Sequence, residues 1–155
     1  MRHVLSKKSV EALFAATGLI WGGTGPQAAM AQSTSCSAYN QNFKVYFESG
    51  SAVPTPQGLA VIDQALSNVR SARGCAIGQI TLPGHQDTAG LTRFNEALSY
   101  AMAYAIAEEF MERGVPGDKI IGEGKGETEP AKATADGVRE PLNRRVDVSI
   151  VLTKA

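Results

Sequence analysis

Between Phe43 and Leu152 the apolar residues switch period, from two to about 3.6 and back, twice over. Phe43, Val45 and Phe47 alternate with Lys44, Tyr46 and Glu48, the pattern of a strand with one buried face. Leu59, Ile62, Leu66 and Val69 then fall at helical spacing behind Thr55-Pro56, an N-cap residue followed by a first-turn proline. That helix ends near Arg73-Gly74. Ile80 and Leu82 alternate in a second strand, Gln79 to Pro83, and a short polar loop follows from Gly84 to Gly90. Thr92 to Arg113 is the longest helix, with Phe94, Leu98, Ala101, Ala105 and Ile106 on or beside one face, and Gly114 and Pro116 stop it. Lys119 to Glu123 reads as a short third strand. The polar stretch from Gly124 to Leu142 is long for a compact domain, and such stretches commonly carry function. Val146, Val148, Ile150 and Leu152 alternate in the last strand. The order β-α-β-α-β-β leaves few arrangements. Two βαβ units with right-handed crossovers predict an α/β fold (an α+β sandwich), with two helices packed on one face of a mixed four-stranded sheet.

The N-terminus obeys a different logic. Arg2, Lys7 and Lys8 precede an apolar stretch from Ala12 to Trp21, then Gly22, Gly23, Gly25 and Pro26, then the small-residue site Ala29-Met30-Ala31. This is the pattern of a secretory signal peptide over residues 1–31, cleaved after Ala31. The apolar stretch is about ten residues, against roughly 20 for a helix that spans a bilayer. Export to the periplasm is therefore expected, with no transmembrane segment in the mature chain. Residues 32–42 become an N-terminal extension containing Cys36, and 43–152 the folded domain.

Removing Arg2, Lys7, Lys8 and Glu11 from 15 basic and 15 acidic residues leaves a slight acidic excess and no basic face. That argues against nucleic acid, whose phosphates demand clustered Lys and Arg. Cys36 and Cys75 are the only cysteines. In an oxidising compartment they are a disulfide candidate, the alternative being two unpaired thiols. The bond would close a loop of about 40 residues and contribute roughly 4 kcal/mol at most in the chain-entropy account.

Three motifs stand in order on this scaffold. Gly84-His85-Gln86-Asp87, with Gly90 and Asn95, occupies the turn between the second strand and the second helix; Leu98-Ser99 follows in that helix. Gly124-Lys125-Gly126-Glu127 and Pro130 lead to Asn143-Arg144-Arg145-Val146 at the last strand. At these separations the chain resembles the OmpA-like C-terminal domain, a peptidoglycan-binding family, over about Phe43 to Ile150. The Cys36 and Cys75 pair and the run Thr134 to Pro141 look like a subgroup of small, stand-alone exported members. The resemblance implies non-covalent binding of the diaminopimelate residue of the peptidoglycan stem peptide. It also implies a place in the cell envelope, including association with the outer membrane, and envelope proteins as further partners. That ligand group presents an ammonium and a carboxylate together, so a site for it needs an acid and a base a few ångströms apart.

The acid implied is Asp87, and the base is an arginine at the position that here is Met102. The candidate ligand-binding residues are Asp87, His85, Thr88, Asn95 and Arg144, with Met102 at the arginine position. Arg144 and Arg145 are consecutive, so their side chains point to opposite faces of the strand, one toward the site and one toward solvent. Two arrangements are open. Met102 lining the Asp87 cleft would mean an altered pocket. A buried Met102 with Arg93 or Arg144 near Asp87 would mean that the charge arrives from another direction. A degenerate member that binds another protein or a modified wall peptide is the alternative function. No enzyme, metal or cofactor is expected. His85 is the only histidine after residue 31, and a zinc site needs three or four ligands. A hydrolase would require a nucleophile within hydrogen-bond reach of His85.

Overall fold

A chain that alternates in short strands and carries two longer amphipathic helices buries both kinds of apolar face most simply in two layers. The computed structural model describes residues 35–155 and shows that solution; the signal peptide read at 1–31 lies outside the described residues. The strands are β1 (Gln41–Tyr46), β2 (Cys75–His85), β3 (Ile120–Gly124) and β4 (Arg145–Lys154), and the helices α1 (Pro56–Ser71) and α2 (Thr92–Glu112). The sheet has the order β1-β4-β2-β3. β4 runs antiparallel to both β1 and β2, whereas β2 and β3 are parallel. The last strand thus inserts between the two that α1 connects.

Val45, Ile80, Leu82, Val146, Val148, Ile150 and Leu152 point from the sheet into a single core, where they meet residues of both helices. From α1 come Ile62, Leu66 and Val69, behind a cap in which Thr55 Oγ1 accepts the Gly58 N–H at 3.1 Å. From α2 come Met102, Ala103, Ile106 and Phe110, all fully buried. Each of the large ones contributes about 1.5–3 kcal/mol by leaving water. On the open face of the sheet, carrying Lys44, Thr81, His85 and Asp147, no helix packs among the described residues.

Two expectations need correction. The second strand is twice as long as its alternation indicated and takes in Gly84 and His85, which read as loop. A register shift between Ile77 and Gln79 breaks its period, and a side chain at Gly78 would strike Thr153 of β4. The inward face of α2 is also rotated from the one expected. Phe94 is 57% exposed and Ala101 exposed, while Asn95, Ser99 and Met102 point inward. The polar pair is tolerated there because both side chains are hydrogen-bonded.

At one end of the sheet the Cys36–Cys75 disulfide is formed, with Cα atoms 5.7 Å apart. It ties the 3-10 turn Cys36–Tyr39 to the first residue of β2. Leu152 N–H donates to Asn40 Oδ1 at 2.8 Å and Ala155 N–H to Gly74 O at 3.0 Å, so both ends of the described chain are fastened at this pole.

Candidate functional site

The opposite pole is built where β2 runs into α2. Gly84 is what lets the two elements approach, since a Cβ there would overlap the Ser99 carbonyl in α2. Beyond it the chain turns through Gln86, Asp87 and Thr88, and each is held by a different segment. Gln86 N–H donates to Gly126 O at 2.7 Å, and its side-chain amide donates to Met102 Sδ at 2.7 Å.

Asp87 is 3% exposed and fully engaged. Its Oδ1 accepts the Ala89 N–H at 3.2 Å, as turn aspartates do. Its Oδ2 accepts the Glu140 N–H at 3.1 Å and an Arg144 Nη1–H at 2.8 Å. Arg144 also donates from Nε to Phe47 O at 3.3 Å. The pair is a buried, charge-assisted contact, in which each charge is the other's main compensation for lost water.

Around it lies a second set of bonds. Asn95 donates to Asp87 O at 3.1 Å and to Glu127 Oε2 at 2.6 Å, and Thr92 donates to Glu127 Oε1 at 2.9 Å. Ser99 Oγ accepts the Gly126 N–H at 2.9 Å. The long polar segment after β3 is drawn over the turn as a strap. Thr88 Oγ1 donates to Ala135 O at 2.8 Å and accepts the Val138 N–H at 3.2 Å, and Gly137 N–H reaches Thr88 O at 3.1 Å. Asn143 clasps Lys132 through both its backbone groups at 2.8 and 2.9 Å. Lys132 Nζ meets Glu140 Oε2 at 2.7 Å; this ammonium, then the Leu142 N–H, hold the Glu140 carboxyl below its ordinary range.

The structure therefore brings Asp87, Thr88, Asn95 and Arg144 into one network and places His85 and Met102 elsewhere. Met102 is fully buried in the core beneath Gln86, and Arg144 is the arginine beside Asp87. Arg93 is exposed on the first turn of α2. His85 sits on the open face of the sheet, in register with Arg145, and is 1% exposed. Neither ring nitrogen has a hydrogen-bond partner, and its Nε2 is 3.4 Å from Asp147 Oδ2. Burial, and after it the nearby Arg145 charge, depress its pKa below the usual 6.5. Among the described residues no hydroxyl is bonded to it. Arg145 does not reach solvent as one of the two arginines was expected to: it is 5% exposed and donates to both oxygens of Asp147 at 3.0 and 3.1 Å. Burial works against the Asp147 charge, but Arg145 and Lys44 outweigh it and leave its pKa below 3.8. Sequence reasoning did not single out Glu140 and Lys132, whose mutual contact follows no regular spacing, and quoted Glu127 in a motif without giving it a partner. Asn143 carried a signal, as the first residue of the Asn-Arg-Arg-Val motif.

A family model described as the OmpA family matches residues 46–144. Outer membrane protein A of Escherichia fergusonii is 29% identical over 115 residues, which cover 68% of this chain and 47% of that protein. The chain thus spans about half the length of that relative. Among solved structures, the peptidoglycan-associated lipoprotein from Burkholderia pseudomallei superimposes with a TM-score of 0.59 at 24% identity, covering 71% of this chain and 89% of the other. The OmpA-like domain of FopA1 from Francisella tularensis gives 0.61 at 22% identity, covering 75% and 76%. These two likenesses concern the fold.

Proposed function

Since the chain belongs to the OmpA family, we propose that it is a non-catalytic module of the bacterial envelope that binds peptidoglycan through the diaminopimelate residue of a stem peptide. The observation that carries this reading is the Asp87–Arg144 pair, 2.8 Å apart at the turn between β2 and α2. Diaminopimelate presents an ammonium and a carboxylate on one centre. An aspartate and an arginine already side by side can exchange their mutual bond for those two groups, the carboxylate taking the ammonium and the guanidinium the ligand carboxylate. Here the base arrives from the start of β4, because position 102 holds a core methionine. Asn95 and Thr88 act by positioning the turn. The exported, periplasmic setting with cleavage after Ala31 belongs to the same proposal, and the Cys36–Cys75 disulfide supports it, since such bonds persist outside the reducing cytosol.

One observation favours a second reading. Asp87 has both oxygens bonded within the chain and lies under the strap. A degenerate member that keeps the pair as structure and binds another envelope protein or a modified wall peptide would look the same.

Co-sedimentation with diaminopimelate-type peptidoglycan separates the two. On the first reading the wild-type protein sediments, and Asp87→Asn, checked for folding by circular dichroism, binds about 10- to 150-fold more weakly through loss of a charged hydrogen bond. A folded wild-type protein that stays in the supernatant would leave the second reading.

A further inference from the structure

The seven residues from Ala133 to Arg139 form an arch with fixed feet. Asn143, which is fully buried, holds the backbone of Lys132 at one foot. The 3-10 turn Pro141–Asn143 begins at the other, and Lys132 Nζ on Glu140 Oε2 joins the two across the base. A loop whose ends meet in this way can rise as a unit while its feet stay down. No packed apolar side chain resists that motion: none of the seven residues is buried, and Val138 is 40% exposed. Hydrogen bonds hold the arch down, and segments held in this way open at free energies well below that of global unfolding.

Those bonds fall on the turn proposed to take the cationic group of the ligand. Gly137 N–H donates to Thr88 O at 3.1 Å, Val138 N–H to Thr88 Oγ1 at 3.2 Å and Glu140 N–H to Asp87 Oδ2 at 3.1 Å. The arch and its foot thus lay three N–H donors on three oxygens of two consecutive residues, and three is the number of donors an ammonium carries. With the arch down, both oxygens of Asp87 are taken, and the residue is 3% exposed.

We infer that the arch is a gate on the Asp87 site, an internal stand-in for the ammonium of the ligand that has to lift before the ligand can enter. The inference rests on the reading of Asp87 as the partner of that ammonium and adds a regulation to it. The Arg139–Glu140 peptide, whose N–H lies on Asp87, is the last link of the arch and turns away with it. Arg144 stays in place, because its Nε donates to Phe47 O and its carbonyl accepts the Phe47 N–H at 3.0 Å, both away from the arch. Opening therefore uncovers the acid without dismantling the base. The apparent affinity is that of the open form reduced by the fraction that is open, so weakening the closed arch tightens binding. A strap that served as a wall of the binding site would have the opposite effect, since loosening it would weaken binding.

Gly137 offers a way to weaken the closed arch without altering Asp87, Thr88 or Arg144. Its φ is +75°, and a Cβ there would meet nothing within 4 Å. A branched side chain would clash with no neighbour and would strain only the backbone of the closed arch, shifting the equilibrium about tenfold toward the open form. Asparagine tolerates that backbone conformation and is the control.

Two measurements on the purified full chain test the gate. Native-state amide exchange without any ligand should show Val138 and Glu140 exchanging through a local opening, far faster than Ile150 in the middle of the sheet, and about tenfold faster again in Gly137→Val but not in Gly137→Asn. Co-sedimentation with diaminopimelate-type peptidoglycan should then give a dissociation constant about tenfold lower for Gly137→Val than for wild type, with Gly137→Asn close to wild type. Exchange of Val138 and Glu140 only at the rate of Ile150 would overturn the inference and leave the proposed ligand untouched. So would a local opening in Gly137→Val that leaves binding unchanged or weaker. Local opening as expected, with no binding by any of the three proteins, would sink the wall reading itself, and the gate with it.

Discussion

Arg144 and Arg145 are neighbours in sequence and live in different worlds. Arg144 closes on Asp87, whose side chain is 4% exposed, beneath the strap and beside the N-terminal end of α2. Arg145 closes on Asp147, which is 31% exposed, on the open face of the sheet beside His85. The first pair has protein on every side, and every oxygen of its carboxylate is spoken for. The second has a carboxylate that keeps contact with water and a guanidinium with one buried, unpartnered nitrogen. The same chemistry is thus a sealed joint on one face and a loose one on the other, and the difference lies in what can replace a lost partner. Asp147 keeps contact with water, whereas Asp87, at 4% exposure, has almost none while the strap is in place.

Substitutions should separate the two sides. Arg144→Ala strands the Asp87 charge where it has almost no contact with water, and should cost about 3–5 kcal/mol, read as a lowered urea midpoint at unchanged slope. Arg145→Ala leaves Asp147 free to be solvated and should cost about 1–2 kcal/mol in the same experiment. Equal losses would erase the distinction between sealed and open. The smallest effect concerns pH. His85 has a folded pKa below its ordinary 6.5, so the unfolded chain takes up the proton first. Its contribution to stability is complete above about pH 6.5 and is lost as pH falls through the folded value. Urea unfolding of wild type and His85→Gln at pH 7.5 and 5.5 should show a smaller loss on acidification in the variant. A profile unchanged by the substitution would mean that His85 is hydrated in solution.

The same contrast explains what could be read from the sequence. The two-layer fold was legible, because alternation at Val146 to Leu152 and helical spacing at Leu59 to Val69 report burial directly. The two arginines do take different partners, but Arg144 precedes β4, so strand alternation alone did not fix its direction. The inward face of α2 was not legible, since a hydrophobic pattern assigns Phe94 to the core. In the fold Asn95 is 2% exposed because Asp87 O and Glu127 satisfy it, and those partners are not encoded at any fixed spacing. The extra length of β2 was hidden by the irregularity at Gly78. The strap was visible only as a long polar stretch. Its bonds to Thr88 join residues nearly fifty positions apart, and no local periodicity foretells them.

The disulfide and the Asp87 turn lie at the two ends of one strand. β2 starts at Cys75 and ends at His85, and its eleven residues span roughly 35 Å. A load applied between the Asp87 turn and Cys36 enters through a covalent bond and travels lengthwise along β2. That strand is clamped on one side by β4 and on the other by β3, so its ladders resist sliding together instead of opening one bond at a time. Mechanically β2 is a tie rod, welded by a covalent bond at one end and joined at the other to the hydrogen-bonded Asp87 turn.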